Sequence, residues 1–269
     1  MFIDTHSHLY LGELKNHIPE AIENLHKNNF SHSIQVGTNI ETSQISINLA
    51  KQYDILRATI GIHPCEAQNI PTEHIPEQLD ILEGMIQKEQ SYIVGFGEIG
   101  FDYYHLSDNV NEATIQRERQ LEWFRAQIKL AKKYNLPVII HTRNASQITL
   151  EELKKSEVKK FVIHCFSENW DFAKEILNMS QESKISFTGI VTYNKSDAIQ
   201  EVAKRAPLNR IMIETDAPYL TPDPLRGKAS FCEPYHTLYV FRKICTLRTE
   251  MPEIIEQELW KSSQNFFNL

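Results

Sequence analysis

Seven side chains in this 269-residue chain have the types and settings that metal-assisted hydrolysis requires. His6 and His8 stand one residue apart at the end of an apolar run. His63 follows in Gly61-Ile62-His63-Pro64 and Glu98 in Gly97-Glu98-Ile99-Gly100. His141 opens His141-Thr142-Arg143, His164 opens His164-Cys165-Phe166-Ser167, and Asp216 lies in Glu214-Thr215-Asp216-Ala217-Pro218. A neutral imidazole offers a lone pair without adding charge, and a carboxylate offsets a cation's charge. Together they favour borderline or hard divalent ions such as Zn²⁺, Mn²⁺ or Mg²⁺. Asp216 suits both ligation and general-base work. Each residue has a plainer reading: a hydrogen-bonded rim histidine, an ion-pair partner for Glu98, a helix cap for Asp216. Those readings weaken if all seven meet at one level of one fold.

The elements that must position them are strands. Short β-rich runs occupy 2–8, 33–37, 57–63, 93–100, 137–142, 161–166, 185–190 and 211–217, recurring every 25 to 45 residues, roughly. The intervening segments carry helical periodicity. Over 115–134, Leu121, Phe124, Ile128 and Ala131 share one face, with Arg119, Glu122 and Lys129 elsewhere. Eight strand–helix units without a Gly/Ser-rich linker predict a single (β/α)₈ TIM barrel over residues 1–269. A doubly wound sheet is disfavoured by the missing Gly-rich turn after the first strand. In a barrel the chemistry sits at the carboxyl ends of the strands, where the seven residues fall. On a strand, alternation puts His6 and His8 on one face and turns Cys165 away from His164 into packing. The tail 233–269 is helical and is expected to pack on the barrel exterior.

Composition narrows the partners. Lys+Arg number 28 against 35 Asp+Glu, a formal charge of −7, so any contact with nucleic acid must be local. The four cysteines form no C-x-x-C pair, which fits free thiols in a reducing compartment. No apolar run reaches membrane-spanning length, and the first strand starts at once without room for a signal peptide. The expectation is a cytoplasmic protein.

Taken in order, these motifs resemble the TatD family of metal-dependent deoxyribonucleases, a branch of the amidohydrolase-like barrels. The stretches that carry the resemblance are the H-x-H start, Gly-Ile-His-Pro, Gly97–Tyr104, His141-Thr142-Arg143, His164–Ser167 and Glu214–Leu220, from Met1 to about Pro234. The resemblance implies two metal ions. One would take His6, His8 and Asp216, the other His141 and His164, with Glu98 bridging. It also implies hydrolysis of DNA phosphodiesters, commonly 3′-to-5′ on single strands. The chain departs from the family at Cys65, where a histidine is common, and at Glu168, where a glycine is common. Both positions bear on substrate more than on metal.

On this reading Asp216 accepts the proton of the attacking water, and His63, outside the metal shell, serves the phosphate as donor or acid. Arg143, Arg226 and Lys228 would hold the DNA backbone, while Phe101, Tyr103 and Tyr104 would stack an unpaired base. Other functions fit the same ligand set: an amidase, a lactonase, a D-aminoacyl-tRNA deacylase, or a non-catalytic metal scaffold. Superfamily members often bridge their metals with a modified lysine on the fourth strand, and Glu98 at that place favours the TatD-like branch.

Overall fold

A computed structural model describes residues 1–269. Eight parallel strands run in sequence order: β1 (Phe2–Ser7), β2 (Phe30–Val36), β3 (Leu56–Ile60), β4 (Ile93–Asp102), β5 (Val138–Arg143), β6 (Phe161–Ile163), β7 (Lys184–Phe187) and β8 (Ile211–Ile213). The ring closes past the end of β8, where Ser7 bridges Ala217, Asp216 N donates to His6 O at 2.9 Å and His8 N donates to Ala217 O at 2.7 Å. This is a TIM barrel, and its strands are covered on both faces, as helices on the outside require. Every residue of β6, β7 and β8 is buried.

The crossover helices are α1 (Ile18–Lys27), α2 (Ile40–Gln52), α3 (Pro64–Ala67), α4 (Ile75–Lys88), α5 (Val110–Lys133), α6 (Ser146–Ser156), α7 (Trp170–Met179) and α8 (Asp197–Arg205). Two more follow the barrel, α9 (Thr237–Leu247) and α10 (Pro252–Phe267). None is long and apolar enough to cross a membrane. The helix expected over 115–134 begins earlier, at Val110, because Asn109 accepts hydrogen bonds from the Asn111 and Glu112 amides and so caps it. Phe124, Ile128 and Ala131 are buried as the periodicity required.

Three buried glutamines on α5 do what apolar patterning does not reveal. Gln120 makes hydrogen bonds of 2.9 Å to both the N–H and C=O of Asp102, and Gln127 pairs likewise with Ile62 at 2.7 and 3.0 Å. Gln116 accepts from Ser107 N at 2.7 Å. Each satisfies backbone groups that have left the ladder, which would otherwise be costly to bury. They fix the exits of β3 and β4, from which His63 and Asp102 project.

The tail differs from expectation at its end. Phe266 and Phe267 of α10 join Ile34, Val36, Ile139, Val162 and Met212 in one buried cluster. Side chains from β2, β5, β6 and β8 meet only through the lumen, so the tail plugs the barrel's interior as well as lying on its outside. Ile255 and Leu259 face the core while Ile254 is 48% exposed.

Candidate metal centre

The glycines around Glu98 are required by close approach of β5. A Cβ on Gly97 would come within 2.6 Å of Ile139 O, and one on Gly100 within 2.0 Å of His141 O. Both residues also have positive φ, 143° and 148°, which side chains disfavour. The Gly-Glu-Ile-Gly run therefore lets β4 lie against β5 while delivering Glu98 into the mouth.

The structure brings His6, His8, His63, Glu98, His141, His164 and Asp216 together. Glu98 Oε1 lies 2.7 Å from His141 Nδ1, 2.8 Å from His164 Nε2 and 3.4 Å from His63 Nε2. Its Oε2 lies 3.4 Å from His6 Nε2. His6 Nε2 and His8 Nε2 face each other at 3.2 Å, with Asp216 Oδ1 3.7 and 3.4 Å away. The His6 and His164 rings stack with centroids 3.9 Å apart.

The outer ring nitrogens decide which lone pairs face inward. His8 Nδ1 donates to Val36 O at 2.9 Å, so its Nε2 is free. His164 Nδ1 points at Glu214 Oε1, 3.2 Å away, and His141 Nε2 at Asp102 Oδ2, 3.0 Å away. Each carboxylate takes the N–H and turns the other nitrogen's lone pair inward. His63 is the exception. Its Nδ1 accepts from Cys65 N at 3.1 Å, which leaves the proton on Nε2, toward Glu98. His63 sits within metal-binding distance of Glu98 and His141, yet it presents a donor where a ligand needs a lone pair.

Electrostatics follow from this crowding. Burial pushes the Glu98 carboxyl up, but the charges of His164 and His63 and hydrogen bonds from His141 and His164 hold it well below the usual range. Burial lowers His164, but Glu98 and Glu214 carry it well above an ordinary imidazole. His6 is lowered by burial and by His164. Burial also raises Asp216, yet its hydrogen bond from His8 and the nearby histidine charges bring it below normal. Without cations, then, protons must sit between inward-facing lone pairs and acceptor oxygens. His6 Nδ1 is buried with no partner. A donor set of imidazole lone pairs and carboxylates this close fits divalent ions, which would replace those protons.

An open cavity of about 740 Å³ reaches the cluster, with Arg143 and Tyr219 on its wall. Arg143 stacks on the exposed ring of Tyr104, 3.8 Å from the guanidinium to the centroid. Several expectations for the rim change. Arg226 stacks on Tyr193 at 4.1 Å, and neither Arg226 nor Lys228 lines the cavity. Phe101 is fully buried against Phe124, because β4 runs on to Asp102 and turns that side chain into the core. Tyr103 is half-buried beneath Arg117. β6 ends at Ile163, so alternation does not govern Cys165: with φ 46° its backbone turns and the residue lines the cavity. Two carboxylates escaped notice as participants, Asp102 and Glu214. Both lie inside quoted motifs, but their roles depend on which histidine folds against them.

A family model for TatD related DNases matches residues 3–268. The chain belongs to the TatD family. The metal-dependent hydrolase YabD of Bacillus subtilis is 32% identical, with both chains covered in full. The crystal structure of the TatD homologue YjjV of Escherichia coli superposes with a TM-score of 0.89 at 28% identity, covering 100% of this chain and 98% of that one. A TatD-family hydrolase of Entamoeba histolytica has a TM-score of 0.83 at 22% identity, which speaks for the fold. The protein is thus a metal-dependent hydrolase of the TatD family.

Proposed function

We propose that this TatD-family hydrolase cleaves phosphodiester bonds of DNA, working from the 3′ ends of single strands, with two divalent ions of the Mg²⁺, Mn²⁺ or Zn²⁺ class. The observation that carries the reading is Glu98: its carboxylate lies between His6 on one oxygen and His141 and His164 on the other. His6, His8 and Asp216 would hold one ion, His141 and His164 the other, and Glu98 both. Such ions would supply a water acidic enough to attack at neutral pH and would neutralise charge on the phosphoryl oxygens.

The chain's own groups do the rest. Asp216, kept ionised by its histidine neighbours, accepts the proton of the attacking water. His63 donates its Nε2–H to a phosphoryl oxygen as negative charge gathers there. Burial keeps its imidazole below the ordinary range, so it serves as a neutral hydrogen-bond donor and not as a proton-giving acid. Arg143 pairs with the neighbouring phosphate, and Tyr104, exposed beside it, stacks the terminal base. Few phosphates are engaged, which reconciles a DNA substrate with a chain of net charge −7.

End-labelled single- and double-stranded oligonucleotides, digested with each ion and with EDTA, test the reading. Stepwise loss of nucleotides from the 3′ end of the single strand, abolished by EDTA, is expected. Turnover of a lactone or amide panel with all oligonucleotides intact would overturn it.

A further inference from the structure

A second set of metal-competent side chains lies beside the centre, and the proposed nuclease activity uses only one of them, Asp102, which orients His141. Cys65 at α3, Asp102 at the end of β4 and His105 in the loop beyond it place their ligand atoms within 4.8 Å of one another. Cys65 Sγ is 3.8 Å from His105 Nδ1, which is 2.9 Å from Asp102 Oδ2. Tetrahedral zinc would hold sulfur and nitrogen about 3.6 Å apart and nitrogen and oxygen about 3.4 Å apart. The first pair already fits, and the second needs to open by about half an ångström as the shared proton leaves.

The three residues are held for this. Asp102 Oδ1 accepts the amides of Tyr104 and His105 at 3.0 and 2.9 Å, which fixes the carboxylate and leaves Oδ2 toward His105 and His141. Gln120 clamps the Asp102 backbone at both N–H and C=O. Gln68 donates to His105 O at 3.3 Å, tying the loop to the segment that carries Cys65. His105 is half exposed and lines the cavity, so an ion has a way in.

We infer that Cys65, Asp102 and His105 form a separate site for a thiolate-preferring divalent ion such as Zn²⁺, next to the Glu98 centre. The sulfur ligand discriminates. A His and carboxylate set accepts Mg²⁺ or Mn²⁺, whereas a thiolate selects Zn²⁺ or Co²⁺. Binding releases the thiol proton to solvent, and the imidazole proton that His105 Nδ1 shared with Asp102 moves through solvent to Nε2, leaving the Nδ1 lone pair for the ion. Asp102 Oδ2 also accepts from His141 Nε2 at 3.0 Å, so an ion here draws on the carboxylate that orients a ligand of the main centre. This inference stands apart from the choice of substrate.

The test uses the full chain, stripped with chelator, reloaded with Mn²⁺ and then titrated with Zn²⁺ or Co²⁺. The wild type should bind one more ion per chain, counting both metals, than Cys65→Ala. With Co²⁺ it should show thiolate-to-cobalt charge-transfer absorption that is lost in Cys65→Ala and kept in Cys165→Ala. His105→Ala, a change in an exposed loop, should weaken uptake of the extra ion by at least ~10-fold. Equal ion counts in wild type and Cys65→Ala, or an absorption band that survives Cys65→Ala, would overturn the inference. The cobalt band reads Cys65 whether or not the Glu98 centre takes Mn²⁺.

Discussion

The two sides of the barrel mouth hold their donors by different means. On one side β1, β4 and β5 are 6, 10 and 6 residues long, and His6, Glu98 and His141 lie inside them. His141 pairs with Gly100 in the ladder, while His6 and Glu98 sit at shifts of register that regular pairs flank, and Glu98 N donates to Gly37 O at 3.2 Å. On the other side β6, β7 and β8 are 3, 4 and 3 residues long, and His164 and Asp216 come after their strands end. There single main-chain bonds, His164 N to Ile140 O and Asp216 N to His6 O, carry the ladder onward. A side-chain network does the remaining work. Asp4 receives Thr215 N at 2.8 Å, and Glu214 receives Cys165 N at 2.6 Å. Thr5 Oγ1 reaches Glu214 Oε2 at 3.3 Å. Buried polar groups thus replace strand length as the means of aiming a ligand. One side should be rigid whatever its neighbours are, and the other only while its network is intact.

Breaking the ladder-held side at its centre should cost most. Glu98→Ala removes the group shared by both ions, so metal content should fall at both sites and turnover should vanish; full activity in this variant would refute the assignment. His63→Ala removes one donor to the phosphoryl group, and a rate loss on the order of 10²–10³ with metal content unchanged is expected from removing such a donor. Metal analysis beside single-turnover kinetics separates the two cases.

The network-held side should fail more softly. Glu214→Gln keeps an acceptor for Cys165 N but weakens the hold on His164, so metal affinity should drop roughly 10–100-fold and excess metal should restore turnover. Asp4→Ala leaves the buried Thr215 amide unpaired, which should cost about 1–3 kcal/mol in urea unfolding.

A control lies outside both regions. His236 is buried without a carboxylate partner, and burial lowers its pKa to about 4, opposite to the rise at His164. The unfolded chain, with a histidine pKa of about 6.5, binds a proton that the folded chain refuses. Stability should therefore fall as pH drops from about 6.5 toward about 4. His236 Nδ1 accepts from Glu233 N at 3.1 Å, which protonation would break. Urea midpoints across that window should fall less steeply in His236→Gln than in the parent chain.

The contrast also explains what the sequence revealed. His6, Glu98 and His141 were legible because residue type, glycine spacing and strand pattern are all local. His164 and Asp216 were legible by type, but the strand ends around them were drawn too long, since the structure continues those strands by single bonds. Asp102, Glu214 and the glutamines of α5 hold the site through contacts between distant segments, which no local pattern encodes. Phe101 was misread as a base-stacking residue because one further pair of strand residues in β4 turns it inward. The Phe266–Phe267 plug went unseen for a similar reason: helical spacing shows that a face is buried and not what it is buried in.

The most direct measurement is anomalous diffraction from Mn²⁺-loaded crystals. Two peaks about 3.5–4 Å apart are expected, one within ligand distance of His6, His8 and Asp216, the other of His141 and His164, with Glu98 reaching both. A lone peak, or peaks with Glu98 out of reach, would contradict the paired centre.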